Sequence, residues 1–280
     1  MVRHSSHPRT RRRAGPAAPR HTIGAVSEHE LPASVRVALW GTAVLGGRVP
    51  ADQLPRRALP DLDECTGLVE AVELWASLGE RAVLVALPRP GDVSGLPRGP
   101  VELVDAATRA QECVFVPAVG GALVPTVEPF GPVGDRGWIA RWTAYPAEPV
   151  PTHRIEALDL GQTELGLRTE LTDLTEQLLR TGAPPFGAAA ERGAARARAV
   201  QDGAGGWGLP EGLPPRALRV VDLAGTVLQL ADAGLDAVTG SLDTATTVAR
   251  ADLLRRLQAR ATTALADATN AAALHLAFRS

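Results

Sequence analysis

Hydrophobic spacing divides the chain into two regions of different character. From Pro32 onward, Val35, Leu39, Thr42 and Ala43 fall on one helical face and Gly46-Gly47 supplies a stop, which predicts a helix. A second helix is predicted behind an Asp61/Glu64 capping box. There Leu62, Cys65, Leu68, Val69, Val72 and Trp75 make a core-facing stripe that ends at Gly79. The unbroken apolar run 82–87 predicts a buried strand, 101–111 a helix and 113–119 another strand, a succession that favours a right-handed parallel crossover. Gly120-Gly121 then joins two β-rich runs, 114–119 and 122–127, as a hairpin, and 137–145 adds a further strand.

Pro146, Pro149 and Pro151 mark a linker, beyond which the pattern becomes helical. Leu167, Leu171, Leu174 and Leu178 form a heptad-like seam on a helix that stops at Gly182 before Pro184-Pro185. Residues 187–201 are rich in alanine and arginine and only weakly amphipathic, and 203–212 read as a loop around Trp207. Pro214-Pro215 opens a helix carrying Leu218, Val221, Leu228 and Leu235 and ending near Gly234. From Leu242 to Phe278 there is no Gly or Pro, and Ala249, Leu253, Leu257, Ala261, Ala264, Ala268 and Ala272 line one side of a long helix. The expected fold class is α+β: a small mixed β-sheet with helices over 27–150, then an antiparallel α-helical bundle over 151–280.

Composition adds a third segment. Residues 1–26 carry Arg3, Arg9, Arg11, Arg12, Arg13 and Arg20 with no acidic residue, and are expected to be a disordered basic arm. The rest holds 23 of the 29 basic residues against 31 acidic ones, a balance of −8. The arm's arginines would give at most weak, non-specific nucleic-acid binding. Its Thr10-Arg11-Arg12-Arg13 run resembles an export signal but lacks the apolar region that such a signal needs. The globular pattern begins just after Val26, which makes Val26 an alternative start and the arm translated upstream sequence. At 280 residues and 45% hydrophobic, the chain can bury a full core without disulfides, and no apolar run is long enough to span a bilayer. A cytoplasmic protein with two reduced thiols, Cys65 and Cys113, is expected. All 29 basic residues are arginine, a composition that fits high-GC coding bias, so most are expected on a solvated or salt-bridged surface.

Candidate chemistry is sparse. The chain has no phosphate-cradling GxxxxGK[ST], no GxGxxG after a strand, no HExxH, GxSxG or CxxC, and no lysine for Schiff-base chemistry. No catalytic residue, cofactor or metal is assigned. Asp61, Asp63 and Glu64 could hold a cation, but two of them already make a helix cap. His153 reads as a linker residue. The best ligand candidate is the loop 88–100, which leaves a buried strand and precedes a helix, where Arg89, Asp92, Ser94 and Arg98, joined by Arg141, would hold an anionic group. Trp138 and Trp142 share one strand face and read first as core, or, if exposed beside Arg141, as a stacking platform.

The segments Leu39-Trp40-Gly41-Thr42-Ala43, Pro214-Pro215-Arg216-Ala217 and the Ala-Thr-Asn-Ala-Ala stretch around Asn270 resemble a conserved family of actinobacterial proteins. That resemblance implies a bacterial cytoplasmic protein and brings no activity or site residues with it. The reading it leaves is a non-catalytic interaction or scaffold protein, with an unknown partner or self-association through the C-terminal helices. The alternative is a protein or enzyme that binds a small anionic ligand between loop 88–100 and the bundle.

Overall fold

Helix α1 (Ala33–Leu45) is apolar nearly all round, and a helix with no polar face must be covered on every side. The computed structural model, which describes residues 31–132, 137–157, 159–180, 207–238 and 244–278, shows this covering. Every residue from Ala33 to Leu39 is buried, including Ser34 and Arg36. The chain continues through α2 (Leu54–Ala58), β1 (Glu64–Thr66), α3 (Leu68–Ser77), β2 (Leu84–Ala86), α4 (Val101–Ala110) and β3 (Cys113–Phe115). It then forms β4 (Ala122–Phe130), β5 (Gly137–Tyr145), the short α5 (His153–Glu156), α6 (Leu160–Arg180), α7 (Pro215–Val238) and α8 (Thr244–Phe278). The class is α+β. The expected basic arm, the stop at Gly182 and the segment 187–201 lie outside the described residues.

The five strands form one sheet in the order β1-β5-β4-β3-β2, in which only β1 and β5 are parallel. The expected parallel crossover between 82–87 and 113–119 is corrected: β2 and β3 are antiparallel, with Val85 opposite Val114. Their unbroken apolar character reflects burial on both faces, which reads the same for either strand direction. Val83, Val85, Val114, Val116, Leu123, Ala140 and Trp142 face one core, shared with α1, α3 and the C-terminal helices. Leu84, Ala86, Cys113, Phe115, Ala122 and Val124 face another, shared with α4 and the end of α8. The hairpin also differs in detail: β3 stops at Phe115, which pairs with Ala122, so the connection is six residues rather than two glycines. Gly120 must still be glycine, since its φ is 78° and a Cβ there would lie 2.2 Å from the Ala147 carbonyl oxygen.

The expected capping box is also corrected. Glu64 lies in β1, paired with Ile139, and α3 begins only at Leu68 after Gly67, whose φ of 79° ends the strand. Asp61 is used by Arg36, which donates to it at 3.0 Å in the interior, so this arginine is not on the solvated surface its residue type suggested. A local pattern lost to a tertiary partner.

Helices α6, α7 and α8 pack on one another, with Leu167 and Leu174 of the expected seam buried. Helix α7 runs through Gly234 to Val238 rather than ending there, and Ala249 of the expected inner row is exposed. Helix α8 also packs on α1 and β2, and its end shares a core with Leu213 and Ala217 at the start of α7. Two arginines hold its end: Arg48 donates to the Leu276 carbonyl at 3.3 Å and Arg81 to that of Ala277 at 3.1 Å. Arg81 also stacks over Phe278, 4.9 Å from the ring centre. Cations at a helix C-terminus offset its partial negative charge. Arg81→Ala is therefore expected to destabilise by about 1 kcal/mol, a fall in Tm of about 2–4 °C by calorimetry. An unchanged Tm would mean that the arginine contributes nothing to holding α8.

Candidate functional site

Loop 88–100 begins where β2 ends and must bring the chain back for α4 to run to β3 from the same end. Its two arginines consequently stand apart. Arg89 lies beside Gln111, next to the start of β3, whereas the Arg98 carbonyl accepts from Glu148 just beyond the end of β5. By strand register these are opposite ends of the sheet. Arg141 is on β5, with β4 and β3 between it and β2, about 14 Å away by strand spacing. It is exposed and faces Glu128 at 3.8 Å. Asp92 and Ser94 do stay near Arg89. Arg89 and Asp92 exchange backbone hydrogen bonds of 2.7 and 2.8 Å, and the Asp92 carboxylate accepts from the Ser94 amide at 2.9 Å. Hydrogen bonds from Ser94 hold the Asp92 carboxyl below its usual range. Arg89, Asp92 and Ser94 are thus together, while Arg98 and Arg141 are elsewhere.

The Arg89 guanidinium turns inward. It donates to Gln111 Oε1 at 2.7 Å and lies 3.4 Å from the Thr262 hydroxyl on α8. Burial lowers its pKa, while Asp232 on α7 and Glu112 favour the charged form. Glu112 is itself enclosed and accepts from the Ser34 amide in the first turn of α1 at 2.7 Å. Pro32 caps α1 without a side-chain acceptor, so this remote carboxylate supplies what the local sequence lacks. Asp232 in turn accepts from Gln258 of α8. The result is a buried polar junction that ties α1, loop 88–100, α7 and α8 together, with its arginine already bonded to Gln111 and Thr262.

Trp142 lies in the core and Trp138 is half-buried, its amide donating to Asp63 at 2.8 Å. Burial pushes the Cys65 thiol up to about 11 and raises Cys113 as well, so both are protonated, unpaired thiols. Asp61 and Asp63 are engaged by Arg36 and Trp138, and Glu64 is an exposed strand residue.

An open groove of about 510 Å³ lies between α6 and α8. Gln162, Gly166, Thr169, Asp173 and Gln177 line it at helical spacing, a stripe of four turns and about 22 Å. Glu170 on this wall pairs with Arg260 on the other, across the groove. Arg256 stands beside Arg260, one turn earlier on α8. A Cβ at Gly166 would meet nothing within 4 Å, so backbone is accessible at mid-groove. Sequence periodicity found the buried side of α6 through its leucines. The groove-facing side gave no signal, because exposed Gln, Thr and Asp look like any solvated face.

Residues 34–157 match the family model described as Rv1486c-like protein, N-terminal domain, and residues 161–266 match that of the Rv1486c-like protein, C-terminal domain. This is a mycobacterial, and so actinobacterial, family, and the match carries no activity with it. No curated protein and no solved structure matches the chain.

Proposed function

Since this chain belongs to the Rv1486c-like family, with both of its domains in order, we propose that it acts by association through its C-terminal helices. One observation carries the reading: four turns of α6 border an open groove against α8, with Gly166 leaving room for close approach of a helix. The groove wall is polar and mixed in charge, which suits a reversible partner better than an obligate one. The alternative of an anionic ligand at loop 88–100 is less favoured, because the Arg89 guanidinium is turned inward onto Gln111 and Thr262 and Arg98 stands at the other end of the sheet. We read the compartment as cytoplasmic on the two free thiols. Among the described residues no helix is long and apolar enough to cross a membrane.

A photo-crosslinking side chain placed at Thr169, in the full chain and in the cell, tests the proposal. Thr169 is expected to yield a discrete adduct, and the exposed Asp105 of α4 none. Equal or absent yields at the two positions would overturn it.

A further inference from the structure

Building on that reading, we infer that the occupant of the groove is a second copy of this chain, related by a two-fold axis so that Asp173 of each copy meets Arg256 of the other. The two walls are opposite in sign: Glu170 and Asp173 on α6, Arg256 and Arg260 on α8. Glu170 and Arg260 already satisfy each other within the chain. Asp173 and Arg256 are exposed, and neither has an ion-pair partner among the described residues. They form one acid and one base on facing walls. A two-fold interface brings the same patch of both copies together, so residue i meets j while j meets i. With the axis running along the groove, the acidic wall of one copy faces the basic wall of the other, and the interface holds two Asp173–Arg256 pairs. Any other partner would need to bring the complementary acid and base at the same spacing, which a second copy has by construction. Leu165 at the groove edge, 58% exposed, would be covered by the same arrangement, with Gly166 beside it admitting the close approach. The groove alone is small for a stable interface, so the dimer is concentration-dependent.

Sedimentation velocity of the full chain over a dilution series tests this. Wild type is expected to shift from monomer to dimer with concentration. Asp173→Arg and Arg256→Glu should each weaken the dimer by about tenfold or more, since each variant sets like charges face to face twice. Both positions are exposed on long helices, so neither change disturbs the core. An equimolar mixture of the two variants should dimerise again. In the mixed dimer the introduced arginine of one copy faces the introduced glutamate of the other, and the unchanged Arg256 and Asp173 meet as in wild type. The double variant should restore the homodimer. A monomeric wild type, or a mixture that associates no better than its components, overturns the inference. If Thr169 then crosslinks to some other protein, the association proposal stands without this dimer. If it crosslinks to nothing, both fall.

Discussion

Asn270→Leu is expected to destabilise the protein by about 2–4 kcal/mol, out of proportion to the small change in volume. Strand β2 is the last in the sheet, and an unpaired strand edge presents amides and carbonyls that need partners. Here side chains provide them. Asn270 on α8 accepts from the Val85 amide at 2.7 Å and donates to the Val85 carbonyl at 2.9 Å, acting as the peptide unit of a missing neighbour strand. Thr42 on α1 does the same one step earlier, accepting from the Val83 amide at 2.9 Å and lying 3.2 Å from its carbonyl. Leucine would leave both Val85 groups buried and unpaired, each at about 1–3 kcal/mol. A Tm lower by about 5–10 °C follows for a chain of this size, with faster hydrogen exchange at the Val85 amide. Asn270→Asp retains the acceptor but sets a carboxylate against the Val85 carbonyl, so its deficit should shrink as pH falls and the acid becomes a donor. Unchanged stability of the leucine variant, or a pH-independent aspartate variant, would show that water replaces the side chain at the edge.

The same contacts explain what the sequence made legible. Helix α1, helix α4 and strand β5 were readable because one local signal governs each: a glycine pair ends α1, prolines precede α4, and glycine and tyrosine bound β5. Positions read wrongly are those where a distant residue takes over a local one. Asp61 and Glu64 have capping-box spacing, yet Arg36, 25 positions away, takes the first and β5 recruits the second into a strand. The β2–β3 run is apolar on both faces because α4 and α8 cover one side and α1 the other, which hides the strand direction. Among the candidate site residues, proximity in sequence grouped Arg89 with Arg98, but a loop that crosses the whole sheet separates them. Asn270, the chain's only asparagine, sits in a stretch that resembles the family, but nothing around it marks its structural role, since its partner lies 185 residues away. Such pairings also bear on how the two family domains relate. The end of α8 lies beyond the matched 161–266 and closes the sheet of the N-terminal domain, so the two domains share one folded unit.

Glu112 gives the second large effect and decides between two electrostatic accounts of the buried junction. Glu112→Leu removes the acceptor for the first turn of α1 and strips Arg36 and Arg89 of a nearby carboxylate, at an expected loss of about 3–5 kcal/mol. Glu112→Gln keeps an acceptor oxygen for the Ser34 amide and should lose about 1 kcal/mol or less near the acid end of the stable range. The two variants separate further with pH. Burial raises the Glu112 carboxyl above its ordinary 4.5, outweighing the Ser34 hydrogen bond and the two arginines. Between 4.5 and the raised value the folded protein binds more protons at this group than the unfolded chain does, so its contribution to stability falls as pH rises. Glutamine cannot ionise and escapes that loss, so Glu112→Gln should gain on wild type from pH 4.5 upward in denaturant titrations at stepped pH. The two proteins differ at this one side chain, so the difference between their pH profiles isolates Glu112. A glutamine variant that instead falls behind wild type as pH rises would mean that Arg36 and Arg89 hold Glu112 ionised, making the junction an ion-pair network rather than a neutral acid capping a helix.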